Sequence, residues 1–128
     1  DADDSFRVTL LSFGFKNGVP FDADVVLDVR FLPNPHWVPE LRPRTGLEEP
    51  VAAYVLATPE ANAWLGHVEA LLGIMAPGYL REGKRQATVA IGCTGGKHRS
   101  TAMTEALAAR LAARGVDCYT AHRDLGRE

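Results

Sequence analysis

A nearly continuous apolar run leads directly into a glycine-rich segment and then into an amphipathic stretch. The run is Ala87 to Gly92, the segment is Cys93 to Ser100 (CTGGKHRS), and the stretch is His98 to Arg114. An apolar run without alternation is typical of a strand covered on both faces, as in parallel sheets. Gly115 is typical of a helix end, and Val116 to Ala121 favours a further strand. Together these segments predict a right-handed βαβ unit.

The rest of the chain supplies two more strands, a stiff loop and a second helix. Phe6 to Phe15 and Val25 to Phe31 are rich in β-branched and aromatic residues. Leu32 to Arg44 holds four prolines, which remove backbone donors and favour an ordered loop without regular pairing. Thr58 and Pro59 are typical of a helix start, and apolar residues recur at helical spacing behind them. We therefore predict an α/β fold: a small, mostly parallel four-stranded sheet flanked by helices.

Length and charge narrow the classes of function. With 128 residues, a single domain over residues 1–128 is expected. The 14 basic and 16 acidic residues give a formal charge of -2, so no global positive field attracts nucleic acid or lipid. No apolar stretch approaches the roughly 20 residues of a membrane span, and a cytoplasmic location without membrane partners is expected. The cysteines Cys93 and Cys118 are expected to be reduced, and no metal or other cofactor is predicted, because the histidines fit no zinc spacing.

The glycine-rich segment has the composition of an anion site. In open α/β sheets ligands bind where strands end and helices begin, because backbone N–H groups and the helix dipole converge there. Glycines let the backbone turn, hydroxyls donate hydrogen bonds and cations attract an oxyanion. The candidate residues are Thr94, Gly95, Gly96, Lys97, His98, Arg99 and Ser100.

Two other loops are predicted to open at the same edge if the first three strands are parallel. Their candidate ligand-binding residues are Lys16, Asp28, Arg30, Asn34 and His36. Lys16, Arg30 and His36 are expected to close around a phosphate, and Asp28 is expected to meet an ammonium or hydroxyl group of the ligand. The ordinary alternatives are a structural Asp28–Arg30 ion pair, a solvated Lys16 and a His36 that only packs beside Trp37.

Four segments carry a family resemblance: SFGFKNG (12–18), DVRFLPNPHWVPELRPRTG (28–46), PGYLREGK (77–84) and IGCTGGKHRS (91–100). Together they closely resemble the C-terminal domain of the RapZ/YvcJ family, bacterial cytoplasmic proteins whose other half is a P-loop nucleotide-binding domain. The resemblance implies a non-catalytic metabolite-sensing and adaptor domain for an amino-sugar phosphate such as glucosamine-6-phosphate, or a related UDP-sugar. It also implies a homo-oligomer that regulates amino-sugar metabolism, in some members through RNA and an RNase. The Walker signature is absent, so we expect an excised domain.

The resemblance also implies a ligand set. Carried over position by position, the anion pocket of the family falls on Arg30, His36, Thr94, Gly95, His98 and Arg99, with Lys16, Asp28, Lys97 and Ser100 as further members.

Two other functions stay open. The pattern Cys-x-x-Gly-x-x-Arg-Ser, at residues 93–100, resembles the phosphate loop of cysteine-dependent phosphatases. In that chemistry a Cys93 thiolate attacks phosphorus, Arg99 holds the equatorial oxygens and Asp28 is the nearest candidate for the acid. Those phosphatases usually carry His at the position of Gly92. The other alternative is a protein-interaction module with a vestigial pocket.

Overall fold

The computed structural model describes residues 5–127 and contains one four-stranded parallel sheet with three α-helices. In chain order the elements are β1 (Arg7–Gly14), β2 (Val25–Asp28), α1 (Glu49–Leu56), α2 (Pro59–Arg81), β3 (Gln86–Cys93), α3 (Arg99–Ala113) and β4 (Asp117–His122). The strand order is β2-β3-β1-β4, and every pairing is parallel. The predicted α/β class is confirmed. The first three strands are parallel, so the condition under which their loops open at one edge is met.

The apolar run of the sequence occupies an interior position in the sheet. β3 pairs with β2 on one side and with β1 on the other, so its ladder is hydrogen-bonded along both edges. Val89 and Ile91 are fully buried in one core cluster with residues of α1, α2 and α3, so the helices pack on that face of the sheet. Ala90, on the opposite face of the strand, is also fully buried. The outer strands β2 and β4 are more exposed, since each has a partner on one side only.

The helix starts follow the signals read from the sequence. At the start of α2, the Thr58 hydroxyl accepts a hydrogen bond from the Ala61 amide at 3.3 Å, and Pro59 takes the first helical position. α3 is followed by Gly115, whose φ of +79° is the left-handed conformation that ends many helices. No helix among residues 5–127 is both long enough and apolar enough to cross a bilayer.

Two features of the fold differ from the sequence prediction. α1 was not predicted, since two turns with two buried residues, Val51 and Val55, give too short a pattern to stand out. β2 ends at Asp28 rather than at Phe31, because the chain turns there and the Leu32 amide bonds to the Val29 carbonyl at 3.3 Å. The turn matters for the site, since it places the proline-rich loop against the end of β3.

Candidate functional site

A cavity of about 530 Å³ lies where β1 and β3 end and α3 begins. Its lining consists of Lys16, Asn34, His36, Trp37, Arg42, Cys93, Thr94, Gly95, Lys97, His98 and Arg99. Three loops that are distant in sequence therefore meet at one place, as the parallel sheet requires. Most of the residues singled out in the sequence are among them, together with Trp37 and Arg42, which sequence reasoning did not select.

The backbone between β3 and α3 directs its acceptors into the protein. Three of its carbonyls accept hydrogen bonds from the body of the protein. The Thr94 carbonyl accepts from the Lys16 amide at 3.2 Å and the Gly96 carbonyl from the Thr101 hydroxyl at 3.0 Å. The Lys97 carbonyl accepts from the Gly46 amide at 2.9 Å. The amides of residues 95–98, in contrast, donate to no other group within residues 5–127. A run of uncommitted N–H groups at the start of a helix is an arrangement that binds anions.

Glycines allow this loop to pack directly on the end of β1. A Cβ atom on Gly14 would lie 2.4 Å from the carbonyl carbon of Gly95. Gly96 has a φ of +84°, and a Cβ atom there would lie 2.8 Å from the Gly14 nitrogen. Side chains are therefore excluded at both positions by backbone atoms. Gly96 shapes the loop without lining the cavity.

Arg99, the first residue of α3, is held rigidly and keeps one donor unused. Its side chain is almost entirely buried, with a residue exposure of 5%. Nη1 donates to the carbonyls of Arg30 at 2.6 Å and Leu32 at 3.2 Å, and Nη2 donates to the Thr94 hydroxyl at 3.4 Å. Nε is buried and has no hydrogen-bond partner within the described residues. A buried, unpartnered donor on a cation is costly unless a ligand oxygen meets it.

The proline-rich loop is fixed by hydrogen bonds to the opposite wall of the cavity. Nε2 of His98 lies 3.1 Å from the Arg42 carbonyl, and because a carbonyl only accepts, this nitrogen carries the proton. Arg42 Nε in turn donates to the His36 carbonyl at 2.6 Å, and the Asn34 side chain accepts from the His36 amide at 3.1 Å. Burial lowers the pKa of His98, so this imidazole is neutral near pH 7. The loop is thus an ordered wall.

Four of the predicted residues lie outside the lining: Asp28, Arg30, Gly96 and Ser100. Asp28 and Arg30 form an ion pair at 2.7 Å with both side chains about half exposed, and the Arg30 guanidinium lies 3.8 Å over the Phe15 ring. Hydrogen bonds from Arg30 lower the pKa of Asp28 and keep it ionised. Ser100 is fully buried behind Cys93.

The family model of the RapZ C-terminal domain matches residues 6–126 of the chain. The chain belongs to the RapZ C-terminal domain family. This confirms the family that the sequence motifs indicated.

The chain aligns with part of several longer proteins. It is 64% identical to a nucleotide-binding protein of Cutibacterium acnes, over 98% of the chain and 43% of the relative. It is 62% identical to a nucleotide-binding protein of Streptomyces coelicolor, over the whole chain and 43% of the relative. A nucleotide-binding protein of Thermobifida fusca is 60% identical over 95% of the chain and 42% of its own length. The domain therefore spans about two fifths of the length of the curated relatives it matches.

A buried carboxylate lies behind the loop between β3 and α3, residues 94–98, which we call the anion loop. Asp124 is fully buried, and its side chain accepts from the Gly14 amide at 2.6 Å and from Arg123 and Arg127 at 2.9 and 3.0 Å. Burial alone would raise the pKa of Asp124, but the hydrogen bonds from Arg123 and Gly14 outweigh it and hold this pKa below the ordinary value. A Cβ atom on Gly96 would lie 3.0 Å from the Asp124 Cβ. Sequence reasoning missed Asp124, because no local pattern joins it to a loop so far away in the chain.

Cys93 lies at the base of the cavity of the RapZ C-terminal domain. It is 3% exposed, and its Sγ donates to the Ser100 hydroxyl at 3.1 Å. Cysteine-dependent phosphate transfer also needs an acid for the leaving group. Within the described part of the chain, no Asp or Glu lines this cavity, and Asp28, the acid considered above, is paired with Arg30 outside it. Residues 5–127 also bring no three His, Cys, Asp or Glu side chains together as metal ligands would be.

Proposed function

We propose that this domain binds a phosphorylated amino sugar, such as glucosamine-6-phosphate or a related UDP-sugar, without turning it over. The observation that carries the proposal is the run of uncommitted amides at residues 95–98, which precedes a 15-residue helix. Backbone N–H groups and the positive end of the helix dipole stabilise an oxyanion at this position. The phosphate group of the ligand belongs on this loop.

The side chains around the loop favour the same ligand. Lys16, Arg42, Lys97 and Arg99 line the cavity, so a dianion entering it meets cations from three loops. Hydrogen bonds to charged groups contribute about 1.5–3 kcal/mol each, roughly twice a neutral bond. Within the described residues Nη2 of Arg99 makes a long hydrogen bond of 3.4 Å to Thr94 and Nε makes none, so this guanidinium keeps donor capacity for a phosphate. The surplus of cations supports a phosphorylated ligand over a neutral one.

The size and composition of the cavity support binding rather than chemistry. A volume of about 530 Å³ is within the ordinary range for small-molecule sites and accommodates a hexose phosphate. Its described lining offers no carboxylate to act as a general acid. The proposed role is therefore that of a sensor, which changes its state when the ligand is present.

Contacts beyond the phosphate follow from the loops that surround it. Asn34 and His36 line the cavity beside the anion loop and are proposed to contact the sugar. Arg30 is proposed to reach the ligand after its ion pair with Asp28 opens, which costs little because both side chains are about half exposed and the pair is screened by solvent. The family resemblance supports four further parts of the proposal. The domain regulates amino-sugar metabolism as an adaptor and assembles as a homo-oligomer. Its partners are the P-loop domain of the same protein and, in addition, RNA or an RNase.

The proposal is tested by titration calorimetry of the chain with glucosamine-6-phosphate, glucosamine and inorganic phosphate. We expect saturable binding of the sugar phosphate and no detectable binding of glucosamine. Lys97→Ala removes a cation from the lining and is expected to weaken binding about 10- to 150-fold, equivalent to one charge-assisted hydrogen bond. Arg81→Ala, at the far end of α2, is the matched control and should leave the affinity unchanged.

Two other results would replace this function. Phosphate release that grows with time and disappears in Cys93→Ser would show a phosphatase. If neither the sugar phosphate nor inorganic phosphate binds at millimolar concentration, the cavity is vestigial and the domain is an interaction module.

A further inference from the structure

We propose that the Trp37 indole binds the ammonium group of the ligand, and so distinguishes amino-sugar phosphates from neutral sugar phosphates. This inference rests on the proposed function, because it concerns the second end of a ligand whose phosphate is held by the loop before α3.

Trp37 is presented to the cavity as a rigid and open surface. It lines the cavity, and yet 73% of its surface is exposed to solvent. The turn that carries it is fixed, since the Trp37 amide donates to the Asn34 carbonyl at 3.1 Å. The His36 ring packs against the indole at 4.9 Å with an angle of 85° between the planes, so the two rings are not stacked face to face. Because tryptophan has only two side-chain torsions and its backbone is fixed here, covering it costs less conformational entropy than ordering a long flexible side chain.

The rest of the lining has little to offer an ammonium group. Four cations line the cavity, and among the described residues no carboxylate does. Nearby acceptors are already used, since the carbonyl of His36 accepts from Arg42 and the carbonyl of Arg42 accepts from His98. Two acids lie near this wall in the sequence, Glu40 within the proline-rich loop and Asp28 just before it, and neither lines the cavity. Asp28 in addition accepts four hydrogen bonds from Arg30. The electron-rich face of Trp37 is an uncommitted surface of the lining that attracts a cation.

The physical basis is the quadrupole of the indole ring. Tryptophan is the strongest aromatic partner for cations, and such contacts contribute more when the ligand excludes water from them. The contribution corresponds to a factor of about 3 at an exposed site and about 30 at a desolvated one. A neutral hydroxyl at the same sugar position gains none of it. Selectivity for the amine is therefore expected to depend on the aromatic ring rather than on a carboxylate.

The experiment compares two ligands that differ only in the amine. Glucosamine-6-phosphate and glucose-6-phosphate are titrated calorimetrically into the wild-type chain and into Trp37→Leu, which keeps an apolar side chain and removes the ring. We expect the wild type to prefer the amino sugar. Trp37→Leu should weaken glucosamine-6-phosphate binding about 3- to 30-fold and change glucose-6-phosphate binding less than 2-fold. Phe21→Leu, at a 98% exposed position outside the lining, is the matched control.

Each alternative has its own result. If Trp37→Leu weakens both sugars equally, or neither, the inference is wrong although the proposed function stands. If Asp28→Asn abolishes the preference and Trp37→Leu does not, a carboxylate recognises the amine and the inference is also wrong. If the wild-type chain binds neither sugar phosphate, the proposed function fails and this inference fails with it.

Discussion

Replacing Gly96 by Ala tests the packing on which the anion loop depends. Gly96 has a φ of +84°, and Gly115 has a φ of +79°. An L-residue in the left-handed region costs about 1–2 kcal/mol, and both substitutions incur this cost. The two sites differ in their surroundings. A Cβ atom at Gly115 meets nothing within 4 Å, whereas one at Gly96 lies 2.8 Å from the Gly14 nitrogen and 3.0 Å from the Asp124 Cβ.

The difference between the two variants therefore measures the clash alone. Overpacking against atoms that cannot move costs about 1–3 kcal/mol, so Gly96→Ala should lower the free energy of unfolding by about 2–5 kcal/mol and Gly115→Ala by about 1–2 kcal/mol. Urea unfolding of both variants gives the two free energies, and phosphate titration at a temperature where both are folded gives their affinities. We expect Gly96→Ala to lose phosphate binding, because the loop amides move, and Gly115→Ala to keep it. Equal destabilisation of the two variants, or full phosphate affinity in Gly96→Ala, would refute this account of the loop.

Two further predictions concern titrating groups at the site. Asp124→Asn leaves Arg123 and Arg127 without their shared buried carboxylate and should cost about 3 kcal/mol of unfolding free energy, measured by urea unfolding at pH 7. Because the pKa of Asp124 is lowered in the folded state, its stabilisation is complete above the ordinary value near 4 and is lost as the pH falls through the folded-state value, so the variant should lose less stability than the wild type on acidification. An equal loss in both proteins would contradict the assignment. Burial also lowers the pKa of His98 in the folded state. The unfolded chain therefore takes up a proton at His98 more readily than the folded chain. The contribution of neutral His98 to stability is complete above about pH 6.5 and declines as the pH falls below that value. Unfolding free energies at pH 7, 6 and 5 should therefore decline more steeply in the wild type than in His98→Gln, and parallel curves would show that His98 does not titrate in this range.

The family and the class of fold could be predicted from the sequence because both depend on local patterns. The apolar run at Ala87 to Gly92 and the helix start at Thr58 were visible as strings of residue types, and the structure has an interior strand and a capped helix at these places. α1 could not be predicted in the same way. Its two buried residues, Val51 and Val55, face the rest of the core only because the chain has already folded around them.

The sequence by itself determined that a glycine-rich loop with two cations and a histidine lies between a buried strand and a helix. Strand propensity, glycine freedom and charge are properties of neighbouring residues, so they can be read without a fold. Only the tertiary structure decided which side chains share the cavity. It placed Trp37 and Arg42 in the lining, set the Asp28–Arg30 pair beside it and put Asp124 beneath the loop. These placements arise because three loops meet at one edge of the sheet. The residues that touch there are far apart in the chain, and such contacts leave no periodic signal in the sequence.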